Sequence, residues 1–190
     1  MIITGARFGS DGYAIERNTR YTDHAKGNRE MIANVLGGRD LNGWSLRKIL
    51  ETTPDYGSAV AAISAAPYAS TEYAIVSGVR KGTILSKNPD DVAHVQELGQ
   101  ANFEERDDYI IITNFDFFWG DVREWFDPTG GNGAFHPRRI AAQKQLNATD
   151  VLTPAALYDT INNKGVFADT IFQAVINVEN GVWDVSPPDM

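Results

Sequence analysis

Glu72-Tyr73-Ala74-Ile75-Val76-Ser77-Gly78-Val79 and, after Arg80-Lys81, Gly82-Thr83-Ile84-Leu85-Ser86 decide how this chain reads. Both runs are short, rich in β-branched residues and bounded by glycine, which favours strand over helix. Lys87-Asn88-Pro89-Asp90 then supplies a turn. Upstream the period changes. In Asn42-Gly43-Trp44-Ser45-Leu46-Arg47-Lys48-Ile49-Leu50 the apolar residues at 46, 49 and 50 share one helical face. Positions 56, 59, 60 and 63 do the same in Tyr56-Gly57-Ser58-Ala59-Val60-Ala61-Ala62-Ile63, with Pro54-Asp55 between the two helices. Before them, Ile2-Ile3-Thr4-Gly5-Ala6-Arg7-Phe8 and Gly12-Tyr13-Ala14-Ile15-Glu16-Arg17 read as a hairpin around Gly9-Ser10-Asp11.

Downstream, Asp91-Val92-Ala93-His94-Val95-Gln96-Glu97-Leu98 fits two readings, because 92, 95 and 98 also lie on one helical face. Asp107-Asp108-Tyr109-Ile110-Ile111-Ile112-Thr113-Asn114-Phe115 is apolar on both faces, which predicts a doubly covered strand in the middle of a sheet. Residues 116–135 form a long loop carrying Phe117, Phe118, Trp119, Trp125 and Phe126 before Thr129-Gly130-Gly131-Asn132-Gly133. Pro137 opens a helix continued by Arg138 to Leu146, and Thr153-Pro154 starts another with Thr153 as N-cap. The last strand pair is Thr170 to Val178 and Gly181 to Val185. Helices in pairs between groups of strands predict an α+β sandwich, one domain over residues 1–190, rather than alternating βαβ units.

Composition narrows the function. The 190 residues carry 17 Lys and Arg against 25 Asp and Glu, a net charge of −8. With no basic stripe, that balance excludes a nucleic-acid partner, since neutralising phosphates needs clustered cations. No apolar run reaches the ~18–20 residues of a transmembrane helix, and Met1-Ile2-Ile3-Thr4 has no signal-peptide character. The chain has no cysteine, so disulfides, thiolate metal sites and a cysteine nucleophile of its own are excluded. His24, His94 and His136 are scattered without a ligand pattern, and the glycine run at 130–133 lacks the Gly-Lys-Ser/Thr ending of a P-loop. No metal and no cofactor are expected.

Three polar residues stand out. Asn114 ends an apolar run, where a buried amide needs partners or a task, and such an amide is suited to stabilising an oxyanion. Arg138 lies just inside a helix start, where the helix dipole disfavours a cation, so it calls for an acceptor. Glu16, at the end of an apolar strand, is a candidate for that acceptor. A buried ion pair and a capping amide without catalysis explain the same residues.

Beyond this the residues resemble a known family. Thr113-Asn114-Phe115-Asp116, Arg138-Arg139 and Leu146-Asn147-Ala148-Thr149, in this order around an aromatic loop, are similar to the Thr-Asn-Tyr-Asp, Arg-Arg and Leu-Asn-x-Thr run of the acid ceramidase and N-acylethanolamine-hydrolysing acid amidase family. The hairpin ending in Glu16-Arg17, the helix pair from Trp44 to Ile63, the strands from Tyr73 to Ser86 and Leu157-Tyr158-Asp159 with the closing strands extend the resemblance over nearly the whole chain.

The resemblance implies an αββα sandwich of the N-terminal nucleophile hydrolase type, and hydrolysis of the linear amide bond of N-acyl lipids or other N-acyl amides. It implies catalytic roles for Asn114, which stabilises the oxyanion, and for Glu16 and Arg138, which line and order the site. It places Asp116, Phe118 and Trp119 in substrate binding, and a lysosomal or secreted setting in keeping with the Asn147-Ala148-Thr149 sequon. The family's nucleophile is a cysteine that opens the catalytic chain before the segment matched by Glu16. The resemblance therefore describes a chain that begins too late. A truncated gene, a second chain supplying the nucleophile segment, and a non-catalytic acyl-binding relative all fit.

Overall fold

The computed structural model describes residues 2–22, 27–100, 106–119, 138–163 and 173–187. They fall into two compact units, Met1–Gln100 with Val178–Gly181, and Ala101–Asn177 with Val182–Met190.

The first unit is built on strands β1 (Ile2–Arg7), β2 (Tyr13–Thr19), β3 (Glu72–Gly78), β4 (Lys81–Lys87) and β5 (Val92–Glu97), an antiparallel sheet in sequence order. Three helices lie between β2 and β3: α1 (Asn28–Leu36), α2 (Asn42–Thr52) and α3 (Tyr56–Ala65). The hairpin, the helix pair and the two deciding strands thus stand where the sequence predicts them. Residues 92–97, which fitted helix or strand, join the sheet by pairing with β4, Leu85 opposite Val95 and Ile84 opposite Gln96. Their apolar spacing suited a helix, but the turn closed by Asn88 N–H donating to the Asp91 carbonyl at 3.0 Å returns the chain along β4.

Strand alternation sorts the sheet into two faces. Tyr13 and Ile15 of β2, Ala74 and Val76 of β3 and Leu85 of β4 meet Leu46, Ile49 and Leu50 of α2 and Ala59 and Ile63 of α3 in one buried cluster. Ala14, Tyr73 and Ile84, on the other face, are buried as well.

Helix ends are tied down by side chains. The Asp55 carboxylate accepts from the Ser58 N–H at 2.9 Å and the Ser58 hydroxyl at 2.8 Å, capping α3, and these bonds hold the carboxyl below the usual range. At the C-terminal end of α2, Arg7 Nε donates to the Leu50 carbonyl at 2.9 Å, and the Tyr13 hydroxyl donates to the Thr53 carbonyl at 3.0 Å. Gly5 sits at a shift in the β1–β2 register with φ 153°, where a Cβ would lie 2.6 Å from Leu50 Cδ2.

The second unit contains α4 (Arg138–Asn147), α5 (Pro154–Ile161), a 3₁₀ turn (Phe117–Trp119) and a hairpin of β6 (Gln173–Asn177) and β7 (Val182–Ser186). Thr153 caps α5 as predicted, its hydroxyl accepting from the Ala156 N–H at 3.1 Å. Pro137, residues 170–172 and the glycine run lie outside the described residues.

One expectation is overturned. Residues 109–114 form no ladder strand among the described residues, and the chain bends at Asn114. Apolar character on both faces reports burial, not pairing. Tyr109, Thr113 and Phe115 are indeed buried, but the segment is held by side chains. Arg106 Nη1 donates to the Leu146 carbonyl at 3.0 Å, and the Tyr109 hydroxyl donates to Asn147 Oδ1 at 2.6 Å.

Leu46 is fully buried between helix and sheet, so Leu46→Ala leaves a cavity in the centre of the first unit. Its unfolding midpoint in urea should fall by an amount equivalent to about 2–5 kcal/mol, with the m-value retained.

Candidate functional site

The candidate site of the second unit is assembled where the chain from residue 106 meets the start of α4. Arg138 Nη2 donates to Asn114 Oδ1 at 2.6 Å, across 24 residues of sequence. This answers the need for an acceptor at an unfavourable helix position. The amide oxygen accepts the cation's N–H at the helix start. The bond also sets the amide. With Oδ1 turned to Arg138, the donor end, Nδ2, points away from the guanidinium and carries the N–H groups that an oxyanion would need.

Arg139, the next residue, is buried and lies with its guanidinium carbon 3.7 Å from the centre of the Phe117 ring. Desolvated contacts of this kind contribute about 2 kcal/mol. Two adjacent arginines thus fasten α4 to both ends of the 114–117 bend. The sequence reading marked Arg138 and passed over Arg139, although the pair Arg138-Arg139 was the available signal.

The 3₁₀ turn continues from this clamp. Trp119 N–H donates to the Asp116 carbonyl at 3.0 Å, and Asp116 itself is buried. Phe117 and Phe118 meet edge to face with ring centres 5.5 Å apart, and Phe118 and Trp119 do so at 5.0 Å. Trp119 is 52% exposed, so the aromatic ladder runs from the buried Arg139 contact outward to solvent. Of the predicted site residues, Asn114, Arg138, Asp116, Phe118 and Trp119 therefore belong to one local arrangement.

Glu16 belongs to the first unit. It lies on β2 opposite Ile75 of β3, in a cross-strand row with Ile84 of β4 and Gln96 of β5. Its surroundings are apolar enough that burial raises its carboxyl above the usual 4.5. Arg17, the next residue, points to the opposite face and donates to Glu72 Oε2 at 3.1 Å. His94 lies on β5, and His24 and His136 lie outside the described residues. Among the described residues no three side chains of metal-ligating type gather. None of the described helices is long and apolar enough to cross a membrane.

With this geometry in hand, the comparisons are specific. The described chain shares its fold with part of a solved amidase structure. It superposes on the solved structure of the Caenorhabditis elegans N-acylethanolamine-hydrolyzing acid amidase ortholog with a TM-score of 0.64, covering 87% of this chain and 65% of that one at 24% identity. In sequence it is 31% identical over 117 residues to the N-acylethanolamine-hydrolyzing acid amidase of Caenorhabditis elegans. That stretch is 60% of this chain and 31% of the relative, so the match spans about a third of the curated protein's length. No family model matches the chain. The sequence comparison and the fold comparison thus both lead to an N-acylethanolamine-hydrolyzing acid amidase.

The raised Glu16 carboxyl has a sign that can be measured. A carboxyl whose folded-state pKa exceeds its unfolded value contributes fully below about pH 4.5 and loses that contribution as pH rises through the folded value. Glu16→Gln keeps the shape and removes the titration. Its melting temperature relative to wild type should therefore rise between pH 4.5 and pH 7. An offset independent of pH would show that Glu16 is not held in a desolvating environment.

Proposed function

We propose that this chain is the larger part of an amidase that hydrolyses the linear amide bond of N-acyl lipids, acting with a cysteine nucleophile supplied by sequence outside its 190 residues. The observation that supports the reading is the Arg138–Asn114 hydrogen bond, which holds the amide by its oxygen, with Nδ2 as its donor end. In the proposed reaction the cysteine thiolate adds to the substrate carbonyl, and the oxygen that gains negative charge takes a hydrogen bond from Asn114 Nδ2. Collapse expels the protonated amine and leaves a thioester. Water then cleaves the thioester, so amide and water yield carboxylic acid and amine.

Arg138 orients Asn114, and Phe118 and the exposed Trp119 offer apolar surface to an acyl chain. By the resemblance, Asp116, which is buried at the start of the turn, also serves substrate binding. By the resemblance, Glu16 serves the same reaction as an ordering residue. The nucleophile segment comes from a preceding stretch of the same gene or from a second chain. One observation favours a second reading: with no cysteine among the 190 residues, the chain alone fits a non-catalytic acyl-binding module.

The two separate in an assay on a fluorogenic N-acyl amide with a long acyl chain. The chain alone should bind the amide without cleaving it. Joined to a cysteine-led segment of the family, it should gain turnover, and Asn114→Ala should then reduce kcat by about 10²–10³-fold with folding retained. Binding without turnover in the completed protein would establish the acyl-binding module instead.

A further inference from the structure

Arg17, Glu72 and Asn42 line a cleft of about 570 Å³ in the first unit, between the helix-facing side of the sheet and α2. Its size falls within the about 300–1,000 Å³ usual for small-molecule sites. Arg17 and Glu16 are neighbours on β2 and point to opposite faces, so the cleft lies on the side of the sheet that Glu16 does not face. Nothing in the amidase reading uses it.

The cleft has an apolar wall and a cationic rim. Trp44 and Leu41 line it and are 69% and 45% exposed, large apolar surfaces left to solvent at the start of α2. Arg47, one turn further along the helix, lines it too. A guanidinium offers five N–H donors. Among the described residues Arg17 spends Nη1 on Glu72 Oε2 at 3.1 Å, and Arg47 spends Nε on Glu51 Oε1 at 2.6 Å. Both side chains line the cleft.

Glu72 is the residue that argues against an anion here, and the geometry answers it. Its Oε2 already accepts from Arg17 and from Asn42 Nδ2 at 2.6 Å, and its side chain is only 4% exposed. Burial, opposed by Arg17 and by the Asn42 bond, raises its carboxyl above the usual value. Arg17 is thus more accessible than its buried carboxylate, and Arg47 stands exposed in an ion pair with the equally exposed Glu51, both beside the exposed Trp44 indole.

We infer that this cleft binds an amphipathic monocarboxylate, with the carboxylate on Arg17 and Arg47 and the apolar body against Trp44 and Leu41. Arginine forks match carboxylate oxygens in pairs, and a neutral ligand of the same shape leaves them unused. The site does not depend on the amidase reading, and its test measures binding alone.

Decanoate, methyl decanoate and decylamine are titrated calorimetrically into the full chain, with the Trp44 indole N–H followed by NMR and assigned from Trp44→Phe. Decanoate should bind and shift the Trp44 signal, with methyl decanoate at least about tenfold weaker. Arg47→Gln should weaken decanoate about tenfold without changing the melting temperature, because Arg47 is 57% exposed. Arg17→Gln should do the same in protein whose circular dichroism is unchanged. Equal binding of the ester, tighter binding of decylamine, an unchanged affinity in Arg47→Gln, or no shift of the Trp44 signal would each overturn the site.

Discussion

Alternation along β2 governs most of what the first unit can do. A strand sends successive side chains to opposite faces, so Tyr13, Ile15 and Arg17 face the helices while Ala14 and Glu16 face away. Slipping the register by one residue would exchange the two sets, driving Arg17 and Glu16 each onto the other's face. Tyr13 and Ile15 resist this by inserting among Leu46, Leu50 and Ile63, and the Tyr13 hydroxyl is anchored to the end of α2. The apolar positions of one strand thereby fix where its two charged residues point. Glu16 and Arg17, adjacent in sequence, serve different surfaces for this reason.

In the second unit the corresponding constraint is a hydrogen bond. Residues 109–114 have no ladder of their own among the described residues, so side-chain bonds determine where Asn114 stands. Arg138 fixes the amide, Arg139 stacks on Phe117, and Tyr109 and Arg106 hold the preceding chain to the far end of the same helix. Helix α4 is thus gripped at both ends by one extended segment. A half-buried amide bonded to a charged donor is costly to misplace, because a charge-assisted hydrogen bond is lost. That cost gives the 114–117 bend a single geometry.

The elements most legible in the sequence were those whose local chemistry and tertiary surroundings agree. The helix pair of α2 and α3 shows its apolar face in the spacing of 46, 49, 50, 59 and 63, and those residues are the core. Thr153 marks a helix start because its side chain closes on the N–H three residues on, and Asp55, read only as part of the break between two helices, does the same for α3. Helix α1 went unmarked. Gly27 at its N-cap makes no side-chain bond, and none of its residues is buried, so neither of the usual signals was present. Residues 107–115 misled in the other direction, since an apolar stretch reports exclusion of water and not the partner that achieves it. At the site, Asn114 and Arg138 were each legible as misfits, an amide at the end of an apolar run and a cation at a helix start. Their pairing was not, because no periodicity links positions 24 residues apart.

The two arginines that bind polar partners in separate units show how one residue type performs two tasks. Arg138 meets a neutral amide and Arg17 meets a carboxylate, each through one N–H of a fork that carries five. A lysine at either position would concentrate its charge on one nitrogen, with no rigid plane to orient the acceptor or to hold further donors in fixed directions. With Arg17, the partner Glu72 is a buried carboxylate held in an ion pair, and Arg17 itself lines a cleft with an apolar wall. With Arg138, the partner Asn114 remains uncharged but gains a direction, which is the property an oxyanion donor requires. The same guanidinium geometry therefore closes an ion pair in one unit and holds a neutral amide in the other, and the difference lies in whether the acceptor is a carboxylate or an amide.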